Sequence, residues 1–235
     1  MEYKEEDIRQ ASQEHCERFK KYIDNYVHRA CQMHYCLTSL QEMQKVKRDI
    51  WMYGCAFWNY TYNSFIRELV INAYSFFEEY STQNNVDSFD AFLNYIESNH
   101  KKIYCKKFFE RVRGKEWQEV EFGCVLKDVT LTRQEIISFK QTDLFKNIKK
   151  LRDKIHAHND KDYSIGDKKA QGLLVEEWKD IHSLASKIIN RFNVPFDRRH
   201  QSTVLANDND IKQVIDILET YHSHKREILQ LKFKK

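Results

Sequence analysis

The chain of 235 residues is long enough for one large domain, and 41% of its residues are hydrophobic and 14% aromatic. That composition supports a buried core and excludes a disordered chain. The net charge of +4 is compatible with nucleic acid as a partner but is smaller than that of a dedicated duplex-DNA binder. With one proline and five glycines, the chain lacks the turn residues of a strand-rich fold, so we predict an all-α protein.

Two long helices are predicted before residue 80. Between Glu5 and Tyr80 glycine occurs once and proline does not occur, and this span is too long for a single globular helix. We predict a first helix from about Glu5 to Tyr35. A second helix is predicted from about Met43, and its apolar residues on more than one side are typical of the centre of a bundle.

The middle of the chain contains a capped helix, a basic segment and an ambiguous insert. Ser88 has the side chain of an N-cap, and a third helix is predicted after it. Residues 101–113, KKIYCKKFFERVR, are predicted to form another helix. Its lysines either bind RNA phosphates while its rings stack on bases, or face water above a buried aromatic side. Residues 114–128 are predicted to form a small irregular or β insert.

A capped amphipathic helix is predicted from Thr142. Its apolar residues recur at four-, three- and four-residue steps: Leu144, Ile148, Leu151 and Ile155. Arg152 lies at the boundary of this stripe, and at about 100° per residue His156 falls on nearly the same face. His158 would point about 120° away from Arg152 in a continued helix. A helix that ends near Ala157 would let His158 turn back.

The remainder is predicted to be a polar loop over residues 160–172 and a helix over residues 173–192 that is closed by Pro195. The predicted organisation has three parts. They are an N-terminal helical extension over residues 1–40, a helical domain over residues 41–195, and a linker with a C-terminal helix over residues 196–235.

The first residues carry no export signal, and no run of about 18 apolar residues that could span a membrane occurs. The six cysteines lack a paired framework, which is typical of reduced thiols. We therefore expect a cytoplasmic protein that contacts no membrane. The spacing of His28, Cys31, His34 and Cys36 is not that of a zinc knuckle. Since the sequence also has no Gly-rich phosphate loop and no clustered acidic triad, we expect no metal and no cofactor.

The segment LRDKIHAHND, residues 151–160, resembles the motif of the HEPN superfamily. That motif is an arginine, usually followed by a polar residue, with a histidine five to seven positions later, and here it matches Arg152, Asp153 and His158. The segment is especially similar to the AbiU-like branch associated with abortive infection. The long aromatic helix that leads into FFEEYSTQNNVDSFDAFLNYI supports the resemblance, which covers about residues 40–192.

The resemblance implies a HEPN-like helical bundle that acts as a metal-independent endoribonuclease in phage defence or a toxin–antitoxin system. Arg152 and His158 would be catalytic, and Asp153 would hold the imidazole tautomer or position Arg152. It also implies a homodimer in which the motif helices of two protomers form one RNA-binding cleft. An antitoxin such as a minimal nucleotidyltransferase is a further expected partner.

The chemistry of these side chains agrees with that expectation. Histidine transfers protons near neutral pH, and a guanidinium offers two parallel donors to the charge on a phosphorane. We assign RNA binding to Lys149, Lys150, Lys154 and His156. For His156, a second proton carrier and a side chain that faces solvent are the alternatives. Two alternatives stay open. The segment is a solvated helix end whose cations complement the helix dipole, or the domain binds RNA or protein without catalysis.

Overall fold

The computed structural model describes residues 5–80, 87–104, 118–157, 173–197, 199–205 and 210–233. Within these ranges the chain forms eight helices and no strand, so the predicted all-α class is confirmed. The helices are α1 (Glu5–Met43), α2 (Arg48–Tyr53), α3 (Cys55–Phe77), α4 (Phe89–Ile103), α5 (Gln118–Gln141), α6 (Asp143–Ala157), α7 (Val175–Asp197) and α8 (Asp210–Phe233). None of the helices in the described ranges has a stretch long and apolar enough to cross a membrane.

Helix α1 lies at the centre of the bundle, against α3, α4, α7 and α8. Its side chains Phe19 and Tyr26 are fully buried and pack on Phe92 of α4, with ring centroids 5.5 and 5.4 Å apart. Phe92 also meets Phe192 of α7 at 5.5 Å. Interlocked aromatic rings contribute large buried areas, so these contacts join α1, α4 and α7 in one core. The predicted boundary at residue 40 falls within α1.

The breaks between the first helices differ from the prediction. Helix α1 continues past Tyr35 to Met43, because Cys36, Leu37, Leu40 and Met43 extend its buried side. After Met43 the chain makes a turn, becomes extended at Lys47, and then forms the short helix α2. A second break at Gly54 separates α2 from α3. The predicted second helix therefore consists of two pieces.

Both predicted N-caps are confirmed. The Ser88 hydroxyl accepts a hydrogen bond from the backbone N–H of Ala91 at 3.4 Å. The Thr142 hydroxyl accepts one from the backbone N–H of Phe145 at 3.2 Å. Such a bond satisfies one of the free N–H groups at a helix start. It also fixes where α6 begins, and hence which of its side chains meet α3.

The predicted irregular or β insert over residues 114–128 is wrong for residues 118–128, which belong to α5; residues 114–117 lie outside the described residues. Valine, phenylalanine and glycine made the segment look strand-like, but burial follows a helical period. The buried positions are spaced by four, three and four residues: Val125, Val129, Thr132 and Ile136. A single glycine inside a helix costs only about 1 kcal/mol, which core packing offsets.

Helix α7 includes Pro195 in its last turn and ends at Asp197, slightly later than predicted. A proline this close to a helix end removes only one backbone hydrogen bond. The following segment is held on α7 by Asn190, whose side chain donates to the carbonyl of Gln201 at 3.1 Å and accepts from its N–H at 2.7 Å. The predicted C-terminal helix is present as α8. The predicted loop over residues 160–172 lies outside the described residues.

Candidate active site

Helix α6 carries the predicted motif and packs against α3. Of the predicted stripe, Ile148 is fully buried, and Leu144, Leu151 and Ile155 are partly buried against the main core. Phe145 is buried as well, and its ring lies 6.4 Å from that of Phe77. The start of α6 thus meets the end of α3, and the motif arginine, about two turns after Phe145, meets the preceding turn of α3.

Arg152 is held by an aromatic ring. Its guanidinium carbon lies 3.9 Å from the centroid of the Tyr74 ring, within the range of a cation–π contact. Tyr74 is itself stacked on Phe145, with ring centroids 5.9 Å apart and planes 9° apart. The Arg152 side chain is 25% exposed. A packed ring therefore orients a guanidinium that still reaches solvent, at the boundary position predicted from the sequence.

Asp153 lies next to the Arg152 side chain. Its Oδ1 atom lies 3.3 Å from Nε of Arg152, within ion-pair distance, yet the buried Nε makes no hydrogen bond. The distance and the missing hydrogen bond are compatible because adjacent residues on a helix point to different sides. With 54% of its side chain exposed, Asp153 is a weak partner of Arg152. Its predicted role in positioning stays a prediction.

The outer face of α6 is basic. Lys149 and Lys150 are exposed and Lys154 is half-buried. Lys146, one turn earlier, pairs with Asp143 at 3.0 Å, and its hydrogen bond lowers the pKa of Asp143. Among the described side chains, no carboxylate forms an ion pair with Lys149, Lys150 or Lys154. Their charges are therefore available to an anionic partner.

The motif histidines extend past the described part of α6. The helix ends at Ala157 in the described residues, and His158 and the side chain of His156 lie outside them. Arg152 and Asp153 are thus brought together, whereas the meeting of Arg152 with His158 stays a prediction. The basic segment predicted as a helix over residues 101–113 begins inside α4, which runs to Ile103. There Lys101 and Lys102 are exposed and Ile103 and Tyr104 buried; its other residues, from 105 onward, lie outside the described ranges.

Helix α1 carries the four residues whose spacing was compared with a zinc knuckle: His28, Cys31, His34 and Cys36. Nowhere in the described ranges do three or more histidine, cysteine or carboxylate side chains gather as a group that could hold a metal ion. His34 instead lies beside His182 of α7, with ring centroids 5.6 Å apart. Nε2 of His182 donates a hydrogen bond to the backbone carbonyl of Thr203 at 3.1 Å. Burial lowers the pKa of His182, and the lower pKa favours the neutral imidazole.

Tyr74 is the site residue that sequence reasoning missed, because its contact depends on how α3 and α6 pack. A double-mutant cycle tests the contact. We expect Tyr74→Leu and Arg152→Ala to be coupled by about 0.5–1 kcal/mol in the free energy of unfolding, the size of a partly exposed cation–π pair. Tyr74→Phe keeps the ring and should retain the coupling. Additive effects of Tyr74→Leu and Arg152→Ala in urea unfolding would show that the stacking contributes nothing.

The comparison with known proteins agrees with the resemblance seen in the motif. The model of the AbiU2 family, a family of HEPN domains, matches residues 12–221. The search of curated proteins finds no match, and neither does the search of solved structures. The family match begins in α1, ends in α8 and contains both Arg152 and the residues beyond it. The chain therefore belongs to the AbiU2 family of HEPN domains, the branch associated with abortive infection.

Proposed function

We propose that this protein is a metal-independent endoribonuclease that acts in phage defence or as the toxin of a toxin–antitoxin system. The observation that carries the proposal is the Arg152 guanidinium, which is stacked on Tyr74 at 3.9 Å beside the basic face of α6. A positioned guanidinium next to free lysine charges suits a phosphodiester. Lys149, Lys150 and Lys154 would hold the RNA backbone, and His156 would add a contact.

The proposed reaction uses the RNA's own 2′-hydroxyl as the nucleophile. His158 takes the proton from this hydroxyl as its oxygen attacks the adjacent phosphorus, and a proton returns to the 5′-oxygen as the P–O bond to it breaks. The products are a 2′,3′-cyclic phosphate and a 5′-hydroxyl. Arg152 stabilises the negative charge of the phosphorane through its N–H donors. No metal ion is needed in any of these steps.

The spacing of the two catalytic residues favours a shared site in a homodimer. Six residues along a helix turn a side chain about 120° away from its starting direction. Arg152 of one protomer would therefore act with His158 of its partner across a two-fold axis. The expected partners of such a dimer are RNA and an antitoxin, such as a minimal nucleotidyltransferase, which would cover the shared cleft. The cytoplasm is the proposed location, since the RNA substrate is there.

An RNase assay with excess EDTA tests the proposal. We expect the wild-type protein to cleave RNA in EDTA and His158→Ala to lose about 100-fold or more of the rate, because general acid–base catalysis contributes roughly 10²–10⁴-fold. The matched control is His224→Ala, since His224 is an exposed histidine on α8 and should leave the rate unchanged. Cleavage that EDTA abolishes, or that survives His158→Ala, would contradict the mechanism.

The second candidate is a non-catalytic module that binds RNA or protein. The stacking of Arg152 on Tyr74 favours this candidate, because the contact joins α6 to α3 and therefore has a structural role that needs no catalysis. The two candidates differ in the ends of the RNA after incubation. Saturable binding of RNA with no new 5′-hydroxyl or cyclic phosphate ends, in every RNA tested, would establish the module and exclude the nuclease.

A further inference from the structure

Three side chains form a row along the outer side of helix α3. Tyr60, Arg67 and Tyr74 are seven residues apart, and positions seven apart lie on nearly the same side of a helix, about 10.5 Å from each other along its axis. Tyr74 lies under Arg152 of the candidate active site. The row therefore leads from this site toward the start of α3, over a length of about 21 Å.

The two members of the row outside the candidate active site are exposed. Tyr60 is 76% exposed, and Arg67 is exposed as well. Among the described side chains no carboxylate forms an ion pair with Arg67. The neighbouring Glu68 is turned by about 100° around the helix and accepts a hydrogen bond from the side chain of Asn72 at 2.8 Å. The phenol ring and the guanidinium are therefore both available to a ligand.

The row extends toward the end of α6 that carries the motif. The start of α6 meets the end of α3 through Phe145 and Phe77, and Arg152 meets Tyr74 one turn further back along α3. The two helices therefore run in opposite directions past each other. Because Arg67 precedes Tyr74 by about two turns, it lies on the side of the active site toward which α6 ends.

The charges at the two ends of the α3–α6 pair are opposite. Where α3 ends and α6 begins, Glu79 and Asp143 are exposed and Glu78 is half-buried. In the other direction α3 presents Arg67, and the neighbouring face of α6 presents the exposed Lys149. A polyanion is repelled by the acidic end and attracted by the basic one. The charges therefore favour a strand that leaves the candidate active site along the row.

We propose that Tyr60 and Arg67 bind the RNA strand that leads into the candidate active site. The proposal rests on the proposed nuclease function and narrows its substrate to single-stranded RNA. Arg67 binds a backbone phosphate, and Tyr60 stacks on an unpaired base, as aromatic side chains of single-strand binding surfaces do. Bases inside a duplex stack on one another and offer Tyr60 no free face.

Binding of an RNA that cannot be cleaved tests the row apart from the chemistry. The probe is a fluorescent single strand of about 12 nucleotides, within the range of single-strand sites, with 2′-O-methyl groups in place of the nucleophilic hydroxyls. The same strand annealed to its complement is the duplex probe. Affinities of the full chain for both probes are measured by fluorescence anisotropy over a series of salt concentrations.

The two side chains have different expected signatures. Arg67→Gln should weaken single-strand binding about threefold and reduce the slope of log affinity against log salt by about 0.7, the value for one phosphate contact. Tyr60→Leu should weaken it about fivefold or more with an unchanged slope, and should leave duplex binding unchanged. Tyr60→Phe keeps the ring and should bind like the wild type. The matched controls are Arg48→Gln and Tyr221→Leu, at an exposed arginine of α2 and an exposed tyrosine of α8, and neither should change binding.

The outcomes separate this proposal from the nuclease function. Wild-type cleavage together with unchanged single-strand binding in Arg67→Gln and Tyr60→Leu overturns the row and leaves the nuclease in place. An equal loss of duplex binding in Tyr60→Leu overturns the stacking on an unpaired base. The expected losses in a wild-type protein that cleaves no RNA support the row and remove the nuclease. A wild-type protein that binds neither probe overturns both.

Discussion

Replacing Arg152 with alanine is expected to slow RNA cleavage about 100- to 1,000-fold, the usual effect of removing one positioned donor to a charged transition state. Arg152→Lys keeps the charge but not the planar pair of donors or the stacking on Tyr74, so we expect it to restore only a small part of the rate. Single-turnover cleavage at saturating protein measures the chemical step without the contribution of RNA binding.

The control for this prediction is Arg199→Ala, since Arg199 is an exposed arginine outside helix α6. It should cleave at the wild-type rate. The loss in Arg152→Ala must also exceed what instability explains, so the rate is compared at a temperature at which both proteins are fully folded by circular dichroism. A rate within threefold of the wild type in folded Arg152→Ala would remove Arg152 from the mechanism and leave it a structural contact between α6 and α3.

The features that the sequence predicted well are local ones. The caps at Ser88 and Thr142 depend on a hydroxyl three residues before a backbone N–H, and the burial of Ile148 depends on helical spacing. The insert after residue 114 failed because β-branched and aromatic residues near Gly123 are locally ambiguous. The helical spacing of the buried residues, which continues to Ile136, is the signal that identifies residues 118–128 as helix.

The site was predictable only as far as one helix reaches. The place of Arg152 at the edge of a buried stripe follows from the spacing along α6. The ring beneath it does not, because Tyr74 is 78 positions earlier in the chain and its contact requires the tertiary packing of α3 on α6. Residues that meet across the fold carry no shared local pattern in a single sequence.

Removal of residues 1–40 is expected to leave a chain that does not fold. In this segment α1 buries large apolar side chains in the main core: Phe19, Ile23, Met33, Leu37 and Leu40. Each contributes about 1.5–3 kcal/mol through burial. Together they reach roughly 8–15 kcal/mol, which is as large as the whole stability of an ordinary domain, about 5–15 kcal/mol. The truncated chain should therefore show no cooperative thermal transition and no dispersed NMR spectrum.

Two further variants separate the role of α1 in the core from a role as an appendage. Deletion of residues 1–4, ahead of α1, should unfold like the full chain. Ile23→Ala, at a position 2% exposed, should lower the free energy of unfolding by about 2–5 kcal/mol, as large-to-small changes in a core do. A truncated chain that retained a sharp transition would show that residues 41–235 fold by themselves and that α1 is an extension. Loss of that transition would show that α1 is needed for the packing of α3. Through that packing, α1 would also be needed to place Tyr74 under Arg152.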